Sequence, residues 1–319
     1  FVEGIGFASA DRAAQKLGLA EDSPERRVAG LFFALELAAN EGHTCVELEK
    51  LRARVSELLG APLAMEVLTA DVEALAEARE LVLARDLRAG AALVYAPALA
   101  HSEAALAANL AALVKCGPVR ALASERDVAA AEREAHLSLH PAQRAAVLGC
   151  LSAPLVLLTG GPGVGKTTIV RLVVELAERA QLSVALASPT GRAAKRLSEA
   201  TGRPASTVHR LLGWDPLRHR FQHGAHEPLG ADLVIVDEIS MLDVVLAHHL
   251  LKAIQPPARL VFVGDPDQLP SVSAGNVLAD ILRSASVPVF RLSQVFRQDA
   301  ASLIVANAHR ILQGELPHG

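Results

Sequence analysis

The chain has 319 residues and a formal net charge of −4, so bulk charge does not mark a nucleic-acid binder and any such surface must be local. Its apolar residues are spread through helix-period Ala and Leu patterns, and no run reaches the roughly 18 needed for a membrane span. Three scattered cysteines, Cys45, Cys116 and Cys150, lack C-x-x-C spacing, which argues against zinc and a disulfide framework and fits a reducing cytosol.

The sequence shows no signal peptide and opens on Phe1 inside a patterned segment, as a trimmed piece would. Residues 1–61 read as a helical domain. A Gly-Ile-Gly turn precedes a helix over 11–19, and Pro24 sits early in a helix running to 39. A further helix over 44–59 is stopped by Gly60-Ala61-Pro62. Residues 62–136 read as a second block. It has a helix over 71–80, strands over 81–87 and 91–96 about an Arg88-Ala89-Gly90 turn, and a helix over 102–114. This is a winged-helix-like pattern, and an Ala/Glu-rich linker helix over 119–136 follows it. The block carries few basic residues, so bracing is favoured over duplex binding.

From 137 to 319 strands and helices alternate, with strands expected at 155–159, 183–187, 233–236, 259–263 and 288–292. Such alternation defines an α/β fold, a parallel sheet covered by helices on both faces. The pattern lapses between Gly213 and Gly230, where a polar hairpin is expected.

The first strand of this sheet runs into Gly160-Gly161-Pro162-Gly163-Val164-Gly165-Lys166-Thr167-Thr168 and then a helix. A G-x-x-x-x-G-K-[ST] run between strand and helix is a phosphate-binding loop. Its glycines let successive N–H groups face one concavity, the lysine reaches the β- and γ-phosphates, and the Thr167 hydroxyl is placed for Mg²⁺. The strand at 233–236 ends in Asp237 and Glu238, suited to the Mg²⁺ water shell and to activation of an attacking water. The strand at 259–263 ends in Gly264-Asp265-Pro266-Asp267-Gln268-Leu269-Pro270, where Gln268 can donate to a γ-phosphate; read alone this is equally a turn with a spare glutamine. Arg297 follows the last strand and is a candidate for charge on the transferred phosphoryl group. Gln143 has a carboxamide suited to an adenine edge, although its spacing alone favours a solvent-facing glutamine at a helix start.

Between Ser188 and His226, seven Lys and Arg stand against Glu199 and Asp215, a local charge of about +5. Trp214, the single tryptophan, is either a base-stacking surface or packing at the hairpin's base.

The ordered set LHPAQR, GGPGVGKTT, ASPTGRAAKRL, STVHRLL, VDEIS, GDPDQLP and QVFRQ resembles the superfamily-1 DNA helicases of the RecD-like class over about 137–319. Val2-Glu3-Gly4-Ile5-Gly6-Phe7 with Ala10-Asp11-Arg12-Ala13 is similar to the helix-hairpin-helix region of the free-standing bacterial type, incomplete at its start. The resemblance implies a RecA-like first motor domain with an inserted hairpin near 213–229, truncated before the second. It implies ATP with Mg²⁺, and 5′-to-3′ movement on single-stranded DNA up to single/double-strand junctions, in DNA repair. It places Gln143 on adenine, residues 161–168 on the phosphates, Thr167 and Asp237 on the metal, and Lys166, Glu238, Gln268 and Arg297 in catalysis. Pro189, Thr190, Arg192, Thr207 and His209 would face the DNA. A DNA- and nucleotide-binding module without turnover is the alternative.

Overall fold

The computed structural model describes residues 6–86, 89–116, 120–294, 307, 310–311 and 314–317. It divides into two compact units, Phe1–Ala105 with Val272–Gly275, and Leu106–Ser271 with Asn276–Gly319.

The first unit holds α1 (Phe7–Lys16), α2 (Pro24–Asn40), β1 (Cys45–Glu47), α3 (Leu48–Leu59), α4 (Met65–Glu77), β2 (Val82–Arg85) and β3 (Ala92–Tyr95); α5 (Pro97–Lys115) begins in it. Local chemistry sets the start of α2. The Ser23 hydroxyl accepts the Arg26 N–H at 3.2 Å, Pro24 takes a first-turn position that needs no N–H partner, and Glu25 faces the positive helix end. Arg26 is buried and donates to both Asp11 carboxylate oxygens at 2.7 and 2.9 Å. It also donates to the carbonyls of Glu21 and Leu59 at 2.7 Å each, so it ties α1, α2 and α3 together. Arg27 makes a second bidentate pair, with Asp71 of α4.

The helix expected over 44–59 opens instead as a strand. Cys45-Val46-Glu47 pairs antiparallel with β3, giving the order β1-β3-β2, and Val46 is buried. Leu51 and Val55 of α3, Leu68 and Val72 of α4, and Val94 of β3 share one core, so packing runs straight through the domain boundary that composition suggests at residue 61. Leu87, the end of the expected strand, and Arg88, the start of the expected turn, lie outside the described residues.

The second unit continues with α6 (Glu125–Glu134), α7 (Pro141–Ser152), β4 (Leu155–Gly160), α8 (Lys166–Arg179), β5 (Val184–Ser188), α9 (Gly191–Thr201), β6 (Ala205–Thr207) and α10 (Val208–Leu211). The hairpin strands β7 (Trp214–Asp215) and β8 (Arg220–Phe221) follow, then β9 (Leu233–Val236), a 3₁₀ turn (Ile239–Met241), α11 (Val244–Lys252), β10 (Arg259–Gly264), α12 (Val277–Ser284) and β11 (Val289–Leu292). The sheet order is β11-β4-β10-β9-β5-β6, and every neighbouring pair is parallel. All five expected strands are present. The sixth, β6, is three half-buried residues at the sheet's edge, too short and too polar to show as an apolar run.

Leu155, Val156, Leu157 and Leu158 of β4 are fully buried, each side chain contributing about 1.5–3 kcal/mol. Val128 and Ala131 of α6 lie in the same core, so the segment expected as a linker packs with the sheet domain. Glu132 of α6 is buried. It accepts the Leu139 N–H at 2.7 Å and pairs with Arg144 of α7 at 2.8 Å, which fastens the start of α7.

Candidate nucleotide site and nucleic-acid interface

A parallel sheet delivers the C-terminal end of every strand to one edge, where ligands of open α/β sheets bind. The phosphate loop follows β4 there, Thr190 follows β5, Thr207 ends β6, Asp237 follows β9 and Asp265 follows β10. Five segments far apart in sequence are thereby gathered along one edge.

Gly163 and Gly165 have φ of +79° and +90°, a left-handed conformation that side chains strain. A Cβ on Gly165 would also stand 2.4 Å from the Gln143 Nε2, so the loop and this glutamine fit together only with glycine there. Gln143 is buried. Its Oε1 accepts the His140 N–H at 3.0 Å, completing a capping box at the start of α7, and its Nε2 donates to the Val164 carbonyl at 3.0 Å. Both ends of the carboxamide assigned to adenine from sequence are thus engaged by backbone. The Lys166 ammonium folds over the loop, donating to the Gly160 carbonyl and, at 2.9 Å, to that of Gly161. Gly161, Pro162 and Val164 form the loop's wall, Thr167 is exposed in the first turn of α8, and Thr168 beside it is half-buried.

Asp237 and Glu238 follow the fully buried β9. Burial pushes the Asp237 carboxyl up to about 6; Glu238 adds to the rise, while the Glu238 N–H and the nearby Lys166 ammonium oppose it. The Asp237 Oδ1 accepts the Glu238 N–H at 2.9 Å. Glu238 itself has φ +57° and ψ +42°, a left-handed conformation costing of order 1 kcal/mol or more in a residue with a side chain. Such strain survives where surrounding structure enforces it.

Asp265, not singled out from the sequence, organises the next segment. It is buried at the end of β10, accepts the Asp267 N–H at 3.1 Å through Oδ1 and the Gln268 Nε2 at 3.3 Å through Oδ2. The signal for it was its place one residue past a buried strand and two before another acid, an Asx-turn pattern. Gln268 is exposed and held by this turn. Arg297 lies outside the described residues.

The segments expected to meet DNA come together at the other end of the same edge. Ser188 of β5 stands opposite Thr207 of β6. Pro189 is half-buried; Thr190 and Thr207 cap α9 and α10 through their hydroxyls, at 3.3 Å to the Ala193 N–H and 3.2 Å to the Arg210 N–H. The basic run divides. Arg203 is bound at 2.7 and 2.8 Å to Glu178 of α8, Lys195 pairs with Glu199, and Arg218 pairs with Asp215. Arg192, Arg196, Arg210 and Arg220 are exposed and have no ion pair among the described residues.

The hairpin expected near 213–229 is present as two short strands. Trp214 lies 4.8 Å from the Phe221 ring, with His209 and His219 edge-on to it at 6.3 and 6.2 Å. Trp214 therefore both packs at the hairpin's base and keeps an exposed face.

The donor set fits a Mg²⁺-bound nucleoside triphosphate. A Cβ on Gly165 would crowd Gln143 behind the loop, and the buried Asp237 carboxyl stands beside Glu238 and near the Lys166 ammonium. Among the described residues no group of three or more His, Cys, Asp or Glu side chains could hold a metal ion.

The fold and this edge define the RecA-like P-loop class, a parallel sheet flanked by helices. The AAA domain family matches residues 143–274, and the ATP-dependent RecD2 DNA helicase HHH domain matches residues 1–45. The chain is 40% identical to the ATP-dependent RecD2 DNA helicase of Deinococcus radiodurans, over 99% of this chain and 44% of that protein. It is 45% identical to the RecBCD enzyme subunit RecD of Mycolicibacterium smegmatis, over 51% of this chain and 34% of that one. A crystal structure of the Pif1 helicase from Candida albicans aligns with 57% of this chain and 45% of its own at 22% identity and a TM-score of 0.42. The chain is similar to RecD2 helicase along nearly its whole length, and it spans less than half the length of the curated relatives it matches here.

Proposed function

We propose that this chain carries the nucleotide site of an ATP-dependent DNA translocase and helicase, moving 5′-to-3′ on single-stranded DNA and opening duplex at single/double-strand junctions. The observation that supports it most is the gathering of the phosphate loop, Asp237 with Glu238, and Gln268 along one sheet edge with the exposed arginines of α9 and α10. Lys166 would leave its loop carbonyls for the β- and γ-phosphates, and Gly163 and Gly165 would turn N–H groups toward them. Thr167 and Asp237 would hold Mg²⁺, which supplies charge neutralisation of the phosphates. Glu238 would orient the attacking water and take its proton, and Gln268 and Arg297 would report on the terminal phosphate. Pro189, Thr190, Arg192, Thr207 and His209 would meet the strand's backbone, and Trp214 a base. The work would be DNA repair in the bacterial cytoplasm, a setting that three dispersed thiols fit.

The test is strand displacement by the intact protein on 5′-tailed and 3′-tailed duplexes with ATP and Mg²⁺. Unwinding of the 5′-tailed substrate alone is expected. ATP binding with no displacement of either substrate would support the reading without turnover.

A further inference from the structure

We propose that Arg291 is a second phosphate-positioning cation, acting on the terminal phosphate of a bound nucleoside triphosphate; the inference rests on the nucleotide-site reading above. β11 runs parallel to β4, with Arg291 opposite Thr159 and Leu292 opposite Gly160, so this arginine stands at the root of the phosphate loop. Strand alternation sends Phe290 and Leu292 into the core cluster and Arg291 to the opposite face. There it lines a cavity of about 400 Å³ whose walls include Gly160, Gly161, Pro162, Pro266 and Asp267. Among the described residues Arg291 makes no ion pair and no side-chain hydrogen bond, whereas Lys166 is bonded to the loop's own carbonyls.

Charge explains why a guanidinium belongs at this place. Among the described residues Asp267 is the one carboxylate lining the cavity, and it would repel a phosphate arriving at the loop's outer side. Arg291 on the same cavity offsets that repulsion and offers a planar fork that two phosphate oxygens can accept from. An arginine acting on the terminal phosphate would distinguish a triphosphate from a diphosphate, which lacks that group.

The experiment titrates the intact chain with fluorescent adenosine diphosphate and a fluorescent non-hydrolysable triphosphate, both with Mg²⁺, for wild type, Arg291→Gln and Arg291→Lys. Arg291→Gln should weaken the triphosphate about tenfold, the loss of one charge-assisted contact, and leave the diphosphate within about twofold. Arg291→Lys should recover part of the loss, and melting curves of both variants should match wild type, because the side chain is exposed. Equal losses for both nucleotides would make Arg291 a brace of the loop and overturn the inference, as would no change in either. Wild-type protein that binds neither nucleotide would overturn the nucleotide-site reading itself.

Discussion

Gln143 and Val164 are joined across 21 residues by a hydrogen bond of 3.0 Å from the carboxamide to the loop carbonyl. The same side chain caps α7, so helix start and phosphate loop are fixed by one residue. Gln143→Ala should weaken nucleotide binding about tenfold, the worth of one buried hydrogen bond near 1.4 kcal/mol. Gln143→Glu separates the two roles, since a carboxylate accepts the His140 N–H but cannot donate to Val164. Its helix cap should survive while nucleotide binding falls as in the alanine variant. Fluorescent nucleotide titrations with parallel melting curves check both.

Asp11→Ala should destabilise the first unit by about 3–5 kcal/mol, because it strands the buried Arg26 guanidinium. Urea unfolding followed by circular dichroism should show an early transition, and nucleotide binding by the second unit should persist below it. A single unshifted transition would count against the pair's structural weight.

Cys150 is fully buried in α7, and burial pushes its thiol up to about 12. The folded state therefore favours the protonated thiol. Its contribution to stability is complete below the ordinary thiol value of 9.0 and is lost as pH rises from there to about 12, at about 1.4 kcal/mol per pH unit. Wild type should lose stability more steeply than Cys150→Ala between pH 9 and pH 11, measured by urea melts. Cys116 is exposed and should react with a thiol reagent in the native protein, whereas Cys150 should react only after unfolding.

Trp214 is the chain's only tryptophan, so its fluorescence reports on the hairpin alone. Single-stranded oligonucleotide should quench it, and Trp214→Ala should reduce affinity by about tenfold, within the roughly 1–3 kcal/mol of a stacked base. Arg203→Ala should leave that affinity within about twofold, because its guanidinium belongs to Glu178. Fluorescence anisotropy of labelled oligonucleotide separates the two.

The centre of the sheet was legible because β4, β9 and β10 are buried on both faces and read as apolar runs, as in Leu233-Val234-Ile235-Val236. The phosphate loop was legible because its glycines and lysine have few other reasons to share that spacing. What sequence could not show were pairings across long separations. Arg203 reads as a DNA cation until α8 brings Glu178 to it, and Gln143 reads as a solvent-facing glutamine until the loop folds over it. Cys45-Val46-Glu47 reads as the start of a helix until β3 supplies its hydrogen-bond partners. Asp265 shows the opposite case, a local turn whose importance lies in the exposed Gln268 it holds.

The left-handed backbone at Glu238 sets two selective pressures against each other. Glycine would adopt that conformation without strain, so Glu238→Gly should relieve a local penalty there, offset in part by the freer unfolded chain. A population selected only for heat resistance would gain little from keeping the glutamate, and one selected for the proposed hydrolysis would lose the carboxylate we assign to the attacking water by giving it up. Position 238 is thus where breeding this protein for durability and breeding it for the proposed activity would part company.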